Sequence, residues 1–164
     1  MTVGRRRVVL GLGNTLNMDE GLGVHALALL QREIGTRTTV EFLDGGTLGL
    51  NLLPLVEETS HLLLLDAVNS DRVPGSVVEL SKEQIPLFAN VKLSQHQLTF
   101  QEVLGLALVR GKFPDHLHLI GVQPTDLSTG VGMSDAVLRV LPDVLKRAER
   151  VLMEWGLMTQ SKGV

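Results

Sequence analysis

Glu20, Asp66 and His96 lie far apart in this sequence, yet together they supply two carboxylates and one imidazole. Two oxygens and one nitrogen, with coordination positions left open for water or substrate, suit a borderline divalent cation such as nickel, zinc or iron. Glu20 follows the glycine-rich turn Gly11-Leu12-Gly13-Asn14, where missing side chains let a ligand approach the backbone. Asp66 closes the apolar run His61–Asp66. A carboxylate at that point must be solvated in a cleft, paired or bound to a cation, because burying it bare is costly. His96 sits in the polar stretch Ser94-Gln95-His96-Gln97, just ahead of an amphipathic segment. Each residue also has a purely structural reading. Asp19 and Glu20 would complement the positive end of a helix dipole, Asp66 would cap the loop after it, and His96 would be a lone surface histidine. Asp44 is a fourth candidate, followed by Gly45, Gly46 and Thr47. These four residues form either a cleft wall whose bare backbone pairs with an extended substrate, or a turn in which Asp44 hydrogen-bonds its own backbone.

Other chemistries lack their residues. The chain has no cysteine, which removes disulfides, thiolate metal sites and cysteine nucleophiles together. Neither G-x-S-x-G nor H-E-x-x-H occurs, so a serine-hydrolase elbow and a zincin helix are both unsupported. A dinucleotide fingerprint fails at its third glycine, which is Leu16 here, and Asp19-Glu20 would put negative charge where a pyrophosphate belongs. His116 and His118 share a strand face by period two with only Asp115 beside them, and neither they nor His25 and His61 are given a role.

These residues need elements to hold them. Arg6–Leu10 predicts a strand covered on both faces. Leu22, Ala26, Leu29, Leu30 and Ile34 predict a helix over 21–34, closed by Gly35. Thr38–Leu43 predicts a second strand, and Leu48–Val56 a helical stretch that Pro54 must kink or restart. His61–Asp66 is the central strand; Ser76–Leu80 follows too soon for a helical crossover and is expected to be antiparallel near an edge. An interrupted helical turn over Lys82–Phe88, a helix over Leu98–Val109, a strand over Leu117–Val122 and a terminal helix over Ser134–Trp155 complete the chain, with Pro142 awkward inside the last. The alternation predicts an α/β fold: a mostly parallel, twisted five-stranded sheet with one antiparallel strand and helices on both faces, in three layers. Right-handed crossovers would bring Gly11–Glu20, Asp44–Thr47, Asp66–Asn69 and Gln123–Thr125 to the same carboxyl edge.

Length bounds the chain to one domain over 1–164, with a disordered tail from about 157. A net charge of -3 offers no basic field for nucleic acid. No window approaches the roughly 18 uncharged apolar residues of a membrane span. Arg5-Arg6-Arg7 precedes an apolar run too interrupted for a signal peptide, so a cytoplasmic protein is expected.

The motif Gly11-Leu12-Gly13-Asn14-x-Leu16-x-x-Asp19-Glu20-Gly21-x-Gly23 resembles the signature of the hydrogenase maturation endopeptidases, which trim the large subunit of nickel–iron hydrogenases. The resemblance continues through Leu43–Thr47, Asp66-Ala67, Ser94-x-His96-Gln97 and Leu119–Pro124, in order and at matching spacing. It implies a twisted sheet flanked by helices, with Glu20, Asp66 and His96 as metal-contacting residues; many members carry Asp-Asp where this chain has Asp19-Glu20. It further implies an endopeptidase that removes a C-terminal extension from the large-subunit precursor once nickel is inserted. The nickel would be brought by the substrate and serve as a recognition element, and another divalent cation would occupy the site in isolation. For the hydrolysis itself, either the metal acts as Lewis acid or activates water, or a carboxylate such as Asp44 acts as general base. Two alternatives remain: a non-catalytic metal-sensing maturation chaperone, and a nucleotide-binding α/β enzyme.

Overall fold

Two runs of consecutive apolar residues, Val8–Leu10 and Leu62–Leu65, form the centre of the sheet, and every side chain in them is buried. The computed structural model describes residues 5–13, 16, 18–46, 49–85, 95–125 and 132–160, without the side chains of residues 20, 49, 50 and 95–99. Its elements are β1 (Arg6–Leu12), α1 (Leu22–Ile34), β2 (Glu41–Gly46), α2 (Leu53–Glu57), β3 (Thr59–Ala67), β4 (Val77–Ser81), α3 (Gln95–Val109), β5 (His116–Val122) and α4 (Asp135–Glu154).

The five strands lie in the order β2-β1-β3-β5-β4. The first four are parallel, and β4 runs antiparallel to β5 at the edge, as its short connection requires. Alternation along the strands divides the core into two layers. Val9, Leu63, Leu65 and Ile120 pack under α1 and α4, whereas Val8, Leu10, Leu62, Leu64 and Leu119 pack under α2 and α3. Helix α4 contributes Val137, Leu141, Val144, Leu145, Ala148, Val151 and Leu152, one apolar stripe at helical period. Burying a side chain of this size contributes about 1.5–3 kcal/mol. From β1 the chain crosses to β2 on one side, and the later strands build on the other. The crevice at the carboxyl ends of β1 and β3 is therefore the topological switch point, the usual ligand position in such sheets.

Four local expectations change. Strand β2 begins at Glu41 rather than Thr38, because Thr38 is engaged elsewhere: its hydroxyl donates to the Leu157 carbonyl at 2.6 Å. Asp44-Gly45-Gly46 belongs to β2 instead of following it, and Gly45 fits because a Cβ there would stand 2.9 Å from Leu12 Cδ2. Helix α3 starts at Gln95, so His96 lies in its first turn rather than in the loop before it. The tail is ordered beyond residue 157: Leu157 is buried, Met158 bridges to Thr38, and Thr159 N–H donates to the Arg37 carbonyl at 2.9 Å. Residues 161–164 lie outside the described residues. Neither Pro54 nor Pro142 breaks its helix. Pro54 enters the first turn of α2, where its missing N–H costs nothing, and Pro142 is exposed on a continuous α4.

Candidate functional site

Strand β1 leaves the sheet through Gly13, whose φ of +132° is open only to glycine and whose N–H donates to the Gly46 carbonyl at 3.1 Å. The exits of β1 and β2 are thereby tied together. The chain then makes a 3-10 turn, Met18–Gly21, packed against β3 and leading directly into α1. Helix α1 sits unusually close to the sheet. A Cβ on Gly23 would fall 2.1 Å from the Leu65 carbonyl oxygen and 2.3 Å from that of Leu12. This is the helix–strand contact that the third glycine of a dinucleotide fingerprint makes, supplied here seven residues beyond Leu16.

The acidic pair in the turn divides its work. Asp19 is fully buried, and its carboxylate accepts from Thr125 N–H at 2.8 Å, Ser134 N–H at 2.7 Å and Ser134 Oγ–H at 2.7 Å. These bonds fasten the turn to the exit of β5 and the start of α4. The neighbouring position, Glu20, lies on the same turn, and its side chain is outside the described residues.

Asp66 is 1% exposed near the end of β3. It continues the Leu62, Leu64 alternation, so it leaves the sheet on the face covered by α2 and α3. Its Oδ1 accepts from Ala67 N–H at 2.8 Å, part of the loop-capping contact expected of it. Opposite it in the register stands Gly121, which brings no side chain to the crevice. His96, in the first turn of α3, begins the helix that covers this same face through Phe100, Val103, Leu104 and Ala107. The His96 side chain also lies outside the described residues, so the triad is placed here by its backbone: Glu20 on the turn against β3, Asp66 at the strand's end, His96 at the head of the covering helix. Asp44 is exposed at the end of β2, and its Oδ1 accepts from Gly46 N–H at 2.8 Å, the backbone-capping geometry of a turn. Gly45 and Gly46 extend along the same rim, and Thr47 lies outside the described residues.

Sequence reasoning placed Gln123 at the carboxyl edge but gave it no role. The residue is 7% exposed, and its Oε1 accepts from Ser70 N–H at 2.8 Å, Ser70 Oγ–H at 3.3 Å and Arg72 N–H at 3.3 Å, while Nε2 donates to Asn69 Oδ1 at 3.2 Å. One side chain thus shapes the loop that follows Asp66. The available signal was an amide directly after an apolar strand, where burial demands partners.

His61, His116 and His118 lie toward the opposite half of the sheet. His61 and His116 stack with ring centroids 4.2 Å apart, and Trp155 meets His61 edge-on at 5.6 Å. Burial, then the neighbouring His116, lowers the His61 pKa from its ordinary value. His118 Nε2 lies 2.8 Å from Glu79 Oε1, but Arg147 and Arg150 already engage that carboxylate, and burial lowers the His118 pKa as well.

The description of a known family fits this architecture. A family model described as hydrogenase maturation protease (HycI) matches residues 24–151. The hydrogenase expression/formation protein HupD of Rhizobium leguminosarum bv. viciae is 39% identical over 159 residues, covering 96% of this chain and 79% of that protein. The chain belongs to the hydrogenase maturation protease family. The hydrogenase 2 maturation protease of Escherichia coli (strain K12) is 35% identical over 153 residues, covering 93% of each chain. Among solved structures, the hydrogenase maturating endopeptidase HybD from E. coli superposes with a TM-score of 0.84 at 35% identity, covering 93% of this chain and 95% of that one. The protein is thus an endopeptidase of hydrogenase maturation. The relatives bear out the family resemblance, and the superposition bears out the mostly parallel five-stranded fold that the alternation of elements implied.

Proposed function

We propose that this endopeptidase removes a C-terminal extension from the large-subunit precursor of a nickel–iron hydrogenase, in the cytoplasm, and that it does so only when the precursor already carries nickel. Glu20, Asp66 and His96 grip that substrate-borne nickel from the switch-point crevice, and the metal acts as the signal that the precursor is loaded. The observation that carries this reading is the buried Asp66 carboxylate at the end of β3, flanked by the turn bearing Glu20 and facing the layer that α3 begins with His96. Two carboxylates and an imidazole suit a divalent cation of nickel's softness.

The glycines of β2 give an extended substrate peptide access to bare backbone along the same rim. The hydrogen bond from Gly46 N–H supports a shaping part for Asp44 rather than that of general base. Asp44→Asn keeps the accepting oxygen, so cleavage near the normal rate is expected; loss of turnover in that variant restores the general-base assignment.

Incubation with nickel-loaded precursor tests the proposal. Release of a C-terminal peptide from the loaded precursor, and none from the nickel-free one, is the expected result. Equal release from both precursors, or from neither, would overturn the nickel gate.

A further inference from the structure

Glu20 sits on a turn that the rest of the chain must hold still. The residue before the acidic pair, Met18, adopts a φ of +41°, a left-handed conformation uncommon for a side chain of this size. Such a conformation persists only where its surroundings over-determine it. The surroundings here include the three hydrogen bonds that Asp19 accepts from Thr125 and Ser134. Both partners are more than a hundred residues away in the chain. Ser134 is the N-cap residue of α4, yet its hydroxyl makes no capping bond within its own helix and donates to Asp19 instead.

We infer that Asp19 is a positioning residue for Glu20: its buried carboxylate fixes the 3-10 turn against the β5 exit and the α4 start, and so sets where the Glu20 carboxylate stands relative to Asp66. The inference rests on the proposed role of Glu20 as a nickel ligand. It divides the acidic pair into one residue that contacts the metal and one that never does. Outer partners that orient metal ligands typically change metal affinity about 10–100-fold when replaced.

The test is a double-mutant cycle on the full chain, with nickel alone as the probe and titration calorimetry performed well below the melting temperature. Asp19→Asn keeps the size of the side chain but turns one acceptor oxygen into a donor facing N–H groups. It is expected to stay folded with a lowered melting temperature and to bind nickel about 10–100-fold more weakly. Ser134→Ala, which removes one hydroxyl and keeps the backbone donor, covers the case in which the first variant does not fold; its expected loss is roughly 2- to 10-fold. Adding either change to Glu20→Gln should weaken nickel binding no further, because the residue being positioned is already disabled. Wild-type affinity in folded Asp19→Asn and in Ser134→Ala would overturn the inference and leave Asp19 a stabilising strap. Additive losses in the cycle would overturn it too, since Asp19 would then act by another route. If Glu20→Gln alone leaves both nickel binding and precursor cleavage intact, the reading of Glu20 has failed and the positioning claim falls with it. That result is distinct from an unperturbed Asp19 variant beside a disabled Glu20 variant.

Discussion

The two rims of this sheet are built from different chemistry. At the amino rim, Arg5 pairs with Asp115, Arg6 with Glu41 and Glu58, and Arg110 with Glu57, all with at least one substantially exposed partner. At the carboxyl rim, the buried Asp19, Asp66 and Gln123 meet backbone N–H groups instead. Exposed ion pairs bend and exchange with water at little cost, and their net worth is about 0–1 kcal/mol each. A buried carboxylate or amide bound to backbone donors is different, because losing a partner leaves the full desolvation cost in place. One rim therefore tolerates substitution, while the other holds its loops in fixed positions.

Substitutions ought to separate the rims. The largest effect is expected from Glu20→Ala, Asp66→Ala or His96→Ala, each of which should abolish release of the C-terminal peptide while circular dichroism stays native. Gly23→Ala comes next. With carbonyl oxygens 2.1 and 2.3 Å from the new Cβ, α1 must move off the sheet, and a loss of about 3 kcal/mol or more is expected in urea titration. Gln123→Ala unpins the loop over Ser70–Arg72 and should cost about 1–3 kcal/mol.

At the other rim, acid acts through His61, and in the middle of the sheet through His118. Both have lowered pKa values in the fold, so the unfolded chain binds more protons just below the ordinary histidine value. Their contribution is fully present above about pH 6.5 and is lost as pH falls through the folded values. The urea midpoint should drop between pH 7.5 and pH 5.5, and drop less in the His61→Gln variant. The smallest change is expected for Arg6→Ala, within about 1 kcal/mol and without effect on cleavage. A large activity loss there would erase the distinction between the rims.

Much of this was legible in the chain itself. Uninterrupted apolar runs such as Leu62–Leu65 are most easily buried as strands covered on both faces, and the short link from Asp66 to Val77 leaves no room for a helical crossover to a parallel partner. Those two facts, with helical spacing between the strands, give the sheet and the edge where its loops meet. The start of β2 was not legible, because Thr38 has strand-forming chemistry but is drawn to the Leu157 carbonyl by a contact 119 residues away. The role of Asp19 was hidden for the same reason. Asp19 and Glu20 are alike in sequence, and only the arrival of Thr125 and Ser134 tells them apart. Local chemistry announces a site's residue types; long-range partners decide which of them face the ligand.

The most direct measurement is a crystal of the protein soaked in nickel, with the anomalous signal mapped at the metal's absorption edge. One peak within coordination distance of the Glu20 and Asp66 carboxylates and a His96 ring nitrogen is the expected result, with Asp19 still on Thr125 and Ser134. A peak elsewhere, or the three side chains turned toward separate surfaces, would contradict the nickel-gated site.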